Sequence, residues 1–361
     1  LVKGKFNIIM GAQAGSEAKG KMSAYLVEKF RPDVLTMASS PNAGHTVVDG
    51  HLKLVTYHLP AGLAKAKYGV TVVLGPSSII NVDILAAELK EVMNWVDMSL
   101  VIDPRATIIT PAMVKMESAT LTKIGSTAQG VGMARVARIM RVGTLRVEDV
   151  RDELISIPHC PISVSSTTPF LHKKLNAGAT ILHESTQGFD LCLDHGIDPV
   201  YCTTRNITTA GALAEMGISP SQLGYVYGVL RPYPIRVNNR DGWSGPYADA
   251  DEITWEEVGR RCGARDDITE KTTTTKLQRR VFEMSYPRLG RFCQVCNPDF
   301  LCLQFANYLD WSIYGKTKPG SSDIPPKVVE FIHSLRQYAP VAYLGTGPDH
   351  THMIDLGVDN E

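Results

Sequence analysis

The sequence has no apolar run near the ~18 residues of a membrane-spanning helix, and its first residues lack the apolar core of a signal peptide, so it reads as a cytoplasmic protein. Neither sign of charge is in excess, since 37 basic and 37 acidic residues give a formal net charge of +0. No global field draws such a chain to nucleic acid or anionic lipid, so any anionic ligand must be held by a local group of residues. The 7 cysteines are odd in number and scattered, which argues against a disulfide framework. Cys293 and Cys296 form a C-x-x-C with no second pair at zinc-knuckle spacing; even with Cys302 nearby, buried thiols are the expected reading. Internal repeats and low-complexity linkers are also missing.

What is present is apolar material, 44% of 361 residues, sufficient for a large core. The stretch around which the chain is organised runs from Phe6 to Lys21. An apolar strand-like run, Phe6–Met10, ends in a glycine-rich turn and opens Lys19–Phe30, whose apolar residues recur at helical spacing. Gly15, Gly20 and Lys21 match the G-x-x-x-x-G-K spacing of a phosphate-binding loop, in which backbone N–H groups converge on phosphate oxygens at a helix N-terminus. Met22 stands where a Ser or Thr would touch magnesium, and spacing alone also fits a tight strand-to-helix turn without a ligand.

Further strands are expected at Val34–Ala38, Thr71–Leu74, Val101–Asp103, Ala179–Leu182, Phe300–Phe305 and Val341–Leu344, with helices at Val82–Trp95 and Pro325–Tyr338. This alternation implies an α/β fold with a mostly parallel, twisted central sheet flanked by helices. One domain over 1–361 is expected, with insertions around 105–175 and 237–271. Tyr225–Arg236 alternates around prolines and reads as an edge or irregular strand.

Polar segments follow several strand ends, where open α/β sheets place ligands. Ser39–Thr46 carries His45, Glu184–Gly196 follows the Ala179–Leu182 run, and Tyr201–Gly211 is dense in hydroxyls. Gly125–Gly132 is a flexible loop followed by Arg135, Arg138 and Arg141; a solvated basic face and an anion site both fit that row. Thr272–Thr275 precede three cations ending at Arg280, which suits either an exposed strand-rich patch or a carboxylate or phosphate pocket.

In order, these motifs resemble the adenylosuccinate synthetase family, P-loop-related ligases that join aspartate to the 6-position of a purine nucleotide. The family's G-D-E-G-K-G-K is Gly15-Ser-Glu-Ala-Lys-Gly-Lys21, and its N-A-G-H-T is intact at Asn42–Thr46. Its Q-G-x-x-x-D-x-D-H-G is close to Gln187–Gly196, and its T-T-A-G is Thr208–Gly211. The likeness covers most of the chain and fades between about 237 and 271. It implies that a nucleoside triphosphate phosphorylates the purine 6-oxygen and that aspartate then displaces phosphate, with cations and N–H donors stabilising the phosphoryl group.

By motif position, the resemblance places the triphosphate on Gly15, Glu17, Ala18, Lys19, Gly20, Lys21, Gly44, His45 and Thr46, and its base near Gln304, Phe305, Asn307, Gly345, Gly347 and Pro348. The monophosphate falls to Ser16, Asn42, Ser126, Thr127, Gln187, Cys202 and Thr203, with Arg138 reaching it from a neighbouring subunit of a homodimer. Thr272, Thr273, Thr274, Thr275 and Arg279 form the aspartate clamp. Ser16, Lys19, His45 and Gln187 carry the chemistry, and Ser16 and Gly44 face magnesium.

Three departures bear on the substrate. Ser16 replaces the family's catalytic aspartate, and a neutral hydroxyl can neither take a proton nor bind magnesium as an anion would. Leu277 replaces an arginine that reads the ribose 2′-hydroxyl, removing the reason to prefer ribose. Gln304–Asn307 lacks the acidic residue that reads guanine in the donor, so ATP or dATP becomes the donor in place of GTP. Together these resemble the viral branch of the family, whose substrate is dGMP rather than IMP. An ordinary IMP-using synthetase and a catalytically dead nucleotide-binding protein are the alternatives, and retention of Lys21, His45, Gln187 and Arg279 speaks against the second.

Overall fold

The structure is a computed structural model, and it describes all residues except 67, 68, 159, 240–242, 248, 273–275, 318–323 and 358–361. A ten-stranded sheet runs through it. In chain order its strands are β1 (Phe6–Gly11), β2 (Val34–Met37), β3 (Val70–Leu74), β4 (Met98–Ile102), β5 (Ile162–Val164), β6 (Ile181–Gly188), β7 (Leu223–Leu230), β8 (Phe300–Leu303), β9 (Val341–Gly345) and β10 (Met353–Asp355). Their spatial order is β5-β4-β3-β2-β6-β1-β7-β8-β9-β10. Every neighbouring pair is parallel except β9 with β10.

Parallel strands covered on both faces read as continuous apolar runs, and here the side chains alternate between two cores. Ile9, Leu35, Met37, Tyr227 and Val229 enter the core on one face, while Phe6, Ile8, Met10, Val34, Val226 and Leu230 enter the other. Helix α1 (Lys19–Phe30) covers the first face with Met22, Ala24, Leu26 and Val27, joined there by α2 (Val82–Val92) with Leu85 and Leu89.

Two expectations need correction. The Tyr225–Arg236 run divides in two: β7 is no edge strand, lying between β1 and β8 and pairing with both, while Ile235–Arg236 forms an edge strand of a separate small sheet. The prolines that suggested an edge, Pro232 and Pro234, follow the end of β7, where no ladder bond is lost. The run at Ala179–Leu182 does not stop before the polar segment, since β6 extends to Gly188 and takes Glu184 into the interior.

Beyond the sheet, α3 (Pro111–Thr120) and α4 (Val131–Met140) pack together near a small sheet of Ile79–Ile80, Thr107–Ile108 and Leu145–Arg146. A second small sheet joins Ile235–Arg236, Glu252–Ile253 and Arg280–Phe282, and beside it Tyr233, Trp255, Val258, Val281 and Tyr308 share a core. None of the helices among the described residues is long and apolar enough to cross a membrane.

Candidate active site

A cleft of about 610 Å³ opens where the loops after β1, β6 and β8 converge. Its floor is the turn between β1 and α1. Ala18, the residue before the helix, has φ 67° and provides no side-chain cap, so the first N–H groups of α1 remain for an anion. Ser16 also adopts a left-handed conformation, at φ 59°. Gln187 and Phe305, also on the cleft wall, do the same at φ 67° and 57°. Such backbone costs about 1–3 kcal/mol per residue and concentrates at ligand sites.

The loop is tied from inside by Glu17. This fully buried carboxylate accepts N–H bonds from Gln13 at 3.2 Å and Gly15 at 2.7 Å, and a bond from Lys19 Nζ at 2.7 Å. The room it needs is supplied by Gly188, where an added Cβ would lie 2.5 Å from Glu17 Oε1 and 2.1 Å from the Gln13 carbonyl. Glu17 is therefore a brace for the loop. Lys21 Nζ donates to the carbonyl oxygens of Gly347 and His352 at 2.7 and 2.8 Å, and burial drives its pKa down to about 7 against the raising pull of Asp349.

His45 and Glu184 form the second wall. His45 Nδ1 lies 2.5 Å from Glu184 Oε1, and both residues are buried. Burial alone would raise the Glu184 carboxyl, but the bond and charge of His45, with Ser23 and the Gly62 N–H, hold it below the ordinary carboxylate range. The ring is thereby fixed with Nε2 left for the cleft it lines.

On the third wall Glu270 joins two arginines. Arg231, fully buried, donates to its carboxylate at 2.5 and 3.1 Å, Arg279 at 3.0 Å and Tyr308 at 3.1 Å. Arg231 also donates to the Ser16 carbonyl at 3.2 Å and lies 4.1 Å from the Phe305 ring, so the phosphate loop and this wall are one connected unit. Burial would raise the Glu270 carboxyl, and the two guanidiniums outweigh it and hold it low.

The cleft gathers most of the residues singled out by sequence: Gly15, Ser16, Glu17, Ala18, Lys19, Gly20, Lys21, Asn42, Gly44, His45, Thr46, Ser126, Thr127, Gln187, Cys202, Thr203, Thr272, Arg279, Gln304, Phe305, Gly347 and Pro348. Thr273, Thr274 and Thr275 lie outside the described residues. Gly345 does not line the cleft; it lies behind Gln304, where a Cβ would meet Oε1 at 2.1 Å. Asn307 is likewise behind the wall, buried, with its Oδ1 lacking a hydrogen bond among the described residues.

Arg138 is outside the cleft, and its Nη1 is taken by the carbonyls of Pro76 and Arg105 and the hydroxyl of Thr107. Arg135 donates to the Ser77 carbonyl, and Arg141 is exposed past the end of α4. The row is thus neither a uniform basic face nor part of the cleft, because two of its guanidiniums satisfy backbone carbonyls. Cys293 and Cys296 share one helix without a third metal-ligating group among the described residues, and burial pushes both thiols up to about 12.

Sequence reasoning missed Glu270, which immediately precedes Lys271 and the threonine run. An acidic residue beside a cation-rich segment was the available signal, but its partner Arg231 is 39 positions away in sequence.

A glycine-rich loop at a bare helix N-terminus, a carboxylate-held histidine and a twin-arginine wall define a nucleotide site of the P-loop-related kind. The sequence model of the adenylosuccinate synthetase family matches residues 8–160 and 157–313, and the chain belongs to that family. Within it, the chain is similar to the N6-succino-2-amino-2′-deoxyadenylate synthase of Vibrio phage phiVC8, 34% identical over 95% of both chains. It is also similar in structure to the cyanophage S-2L succinoaminodeoxyadenylate synthetase bound to dGMP and dATP as an energy donor, with TM-score 0.82 and 31% identity over 97% of this chain and 95% of that one. A fully ligated adenylosuccinate synthetase from Plasmodium falciparum shares the fold, with TM-score 0.78 and 20% identity over 97% of this chain and 99% of that one.

Proposed function

We propose that the chain is an ATP- or dATP-dependent ligase that joins L-aspartate to C6 of dGMP, giving N6-succinyl-2-amino-2′-deoxyadenylate, the donor's diphosphate and phosphate. The observation that carries this reading is the chemistry of the loop. Ser16 presents a neutral hydroxyl to the cleft, while the adjacent carboxylate, Glu17, is sealed beneath it by Lys19 and two N–H groups. The likeness to phage synthases supports the same substrate.

In this reading the purine O6 attacks the γ-phosphorus of the donor, whose diphosphate leaves; the amine of aspartate then attacks C6 and phosphate departs with O6. The α1 N–H groups, Lys19 and Lys21 hold phosphates, and His45, acting as the imidazolium with Nδ1–H on Glu184, donates Nε2–H to the transferring group. Asn42, Ser126, Thr127, Gln187, Cys202 and Thr203 hold the monophosphate nucleotide, and Thr272–Thr275 with Arg279 hold aspartate. Gln304 Oε1 is buried without a hydrogen bond among the described residues, an acceptor suited to an adenine amino group. Ser16 Oγ and the Gly44 carbonyl are hard oxygens that suit magnesium held mainly by phosphates and water. Bound there, magnesium would neutralise phosphate charge.

A homodimer belongs to the proposal. Val136, Ile139, Met140 and Val142, on and just after α4, are at least half exposed and form an apolar surface beside Arg138. A dimer in light scattering, lost in Ile139→Asp, is the expected result.

Phosphate release that requires dGMP, aspartate and ATP or dATP together, with the succinyl product identified by mass spectrometry, tests the activity. Equal or better turnover of IMP would assign the chain to the ordinary synthetases, and no turnover of either would leave a nucleotide-binding protein. Ser16→Asp is expected to lower kcat/KM for dGMP by about ten- to a hundredfold. Undiminished dGMP turnover in that variant would show that the small hydroxyl does not select the substrate.

Lys21 supplies a pH prediction. With a pKa of about 7 in the free protein and 10.5 ordinarily, it is largely neutral at pH 8. A phosphate group beside it favours the ammonium form, so donor binding at pH 8 should take up about one proton. Calorimetry in buffers of different ionisation enthalpy reads that uptake, and Lys21→Met should remove it. By linkage, Lys21 adds stability to the free protein as pH rises from about 7 toward 10.5, because over that range only the unfolded chain keeps the proton.

A further inference from the structure

Beside the cleft, the end of the hairpin strand His45–Asp49 meets the loop after β9. Three groups converge there: Asp49, Asp349 and His350, whose ligand atoms lie within 4.8 Å of one another. His350 is 1% exposed. Its Nε2 is 3.0 Å from Glu28 Oε2, and in the neutral ring with Nε2 as the donor toward that carboxylate, Nδ1 carries the lone pair. Nδ1 lies 3.5 Å from Asp49 Oδ1 and 3.3 Å from Asp349 Oδ1, yet it makes no hydrogen bond.

A lone pair facing two carboxylate oxygens is electrostatically unfavourable unless something positive lies between them. A proton does not fit well, because neither oxygen is aligned with the ring nitrogen. A metal ion does: ligands at about 2.0–2.2 Å and roughly right-angle to tetrahedral spacing stand about 3.0–3.5 Å from one another and off each other's axes. The remaining oxygens are already held, as in a prepared ligand set. Asp49 Oδ2 accepts from Lys65 at 3.0 Å and Asp349 Oδ2 from the Gly50 N–H at 2.7 Å, while Thr351 donates twice to Asp349 Oδ1.

We propose that Asp49 Oδ1, Asp349 Oδ1 and His350 Nδ1 bind a divalent transition-metal ion of the zinc or manganese type, completed by water. Two carboxylates and an imidazole suit such ions, and the carboxylate of Glu28 completes a carboxylate–histidine–metal arrangement. The site is separate from the magnesium expected at Ser16 and Gly44, and it does not depend on the substrate proposed above. Its position gives it a structural role. His350 N donates to the Val48 carbonyl, and Gly347 and Pro348 of the same loop line the cleft, so the ion would staple the hairpin that carries His45 to the loop that receives Lys21.

The test is equilibrium dialysis of chelator-treated, nucleotide-free protein against Zn2+ and against Mn2+, with melting temperature followed in parallel. Wild type should retain one ion per chain and melt at a higher temperature with the metal present. His350→Gln and the less buried Asp49→Asn should each weaken retention by about tenfold or more and abolish the rise. Circular dichroism checks that the variants are folded, and Asp49→Asn decides the matter if His350→Gln is not. Failure of wild type to hold either ion, or retention unchanged in a folded variant, overturns the proposal.

Discussion

Replacing His45 by alanine is expected to lower kcat by about 10²–10³-fold, the usual cost of removing one donor aimed at a transferring group. The expectation rests on the pair it forms with Glu184. Both are buried, and the carboxylate holds the ring by Nδ1, so the imidazole enters the cleft in one orientation. A donor already oriented costs nothing to reorganise as charge develops on the phosphoryl oxygens. Glu184→Gln keeps the shape of this wall but loses the charge, and should fall between wild type and His45→Ala. Dissociation constants for dGMP should change only a few-fold in both variants, because the ring acts on the transferring group. Single-turnover measurements with separate binding assays make the distinction. A His45→Ala protein that turned over within a few-fold of wild type would remove the histidine from the mechanism.

The largest stability effect is expected at Glu270. Glu270→Ala would leave Arg231, with no exposed side-chain surface, and Arg279, 14% exposed, without their shared carboxylate. Breaking a buried pair from one side costs about 3–5 kcal/mol, because the charge left behind is no longer compensated. Urea denaturation of wild type and variant reads this difference. Since the folded Glu270 carboxyl is held below its ordinary value of 4.5, its contribution is present above that pH and is lost as pH falls through the folded value. The gap between the two proteins should therefore close in acid. The same substitution frees Arg279 from its carboxylate partner, so altered KM for aspartate is expected at neutral pH. A variant as stable as wild type would mean that water or another group already compensates the two arginines.

These two sites differ in how visible they were. His45 lies in Asn42–Thr46, a local motif, and was legible in the chain. Glu184 was visible as a residue but was expected outside the strand, because a charged side chain argues against a buried position. It is inside β6 because His45, 139 positions earlier, pairs with it. Glu270 was not assigned any role, since neither of its arginine partners is fixed by spacing alone.

Glu17 lines the cleft, where the motif places it. That its carboxylate is held by Gln13, Gly15 and Lys19 and braces the loop is visible only in the folded backbone. Arg138 also has partners that its spacing does not show, since its Nη1 donates to the carbonyls of Pro76 and Arg105 and the hydroxyl of Thr107.

By itself the sequence determined the parallel α/β sheet, the glycine-rich loop at its first strand end and the departures from the family's motifs at Ser16, Leu277 and Gln304–Asn307. Those properties are written in short-range terms: alternation along strands, periodicity along helices and side-chain chemistry at motif positions. The tertiary structure alone decided which charges neutralise one another, from His45 with Glu184 to the meeting of Asp49, Asp349 and His350. Ion pairs and ligand sets depend on distances across the fold, and a chain carries no record of those until its strands are placed side by side.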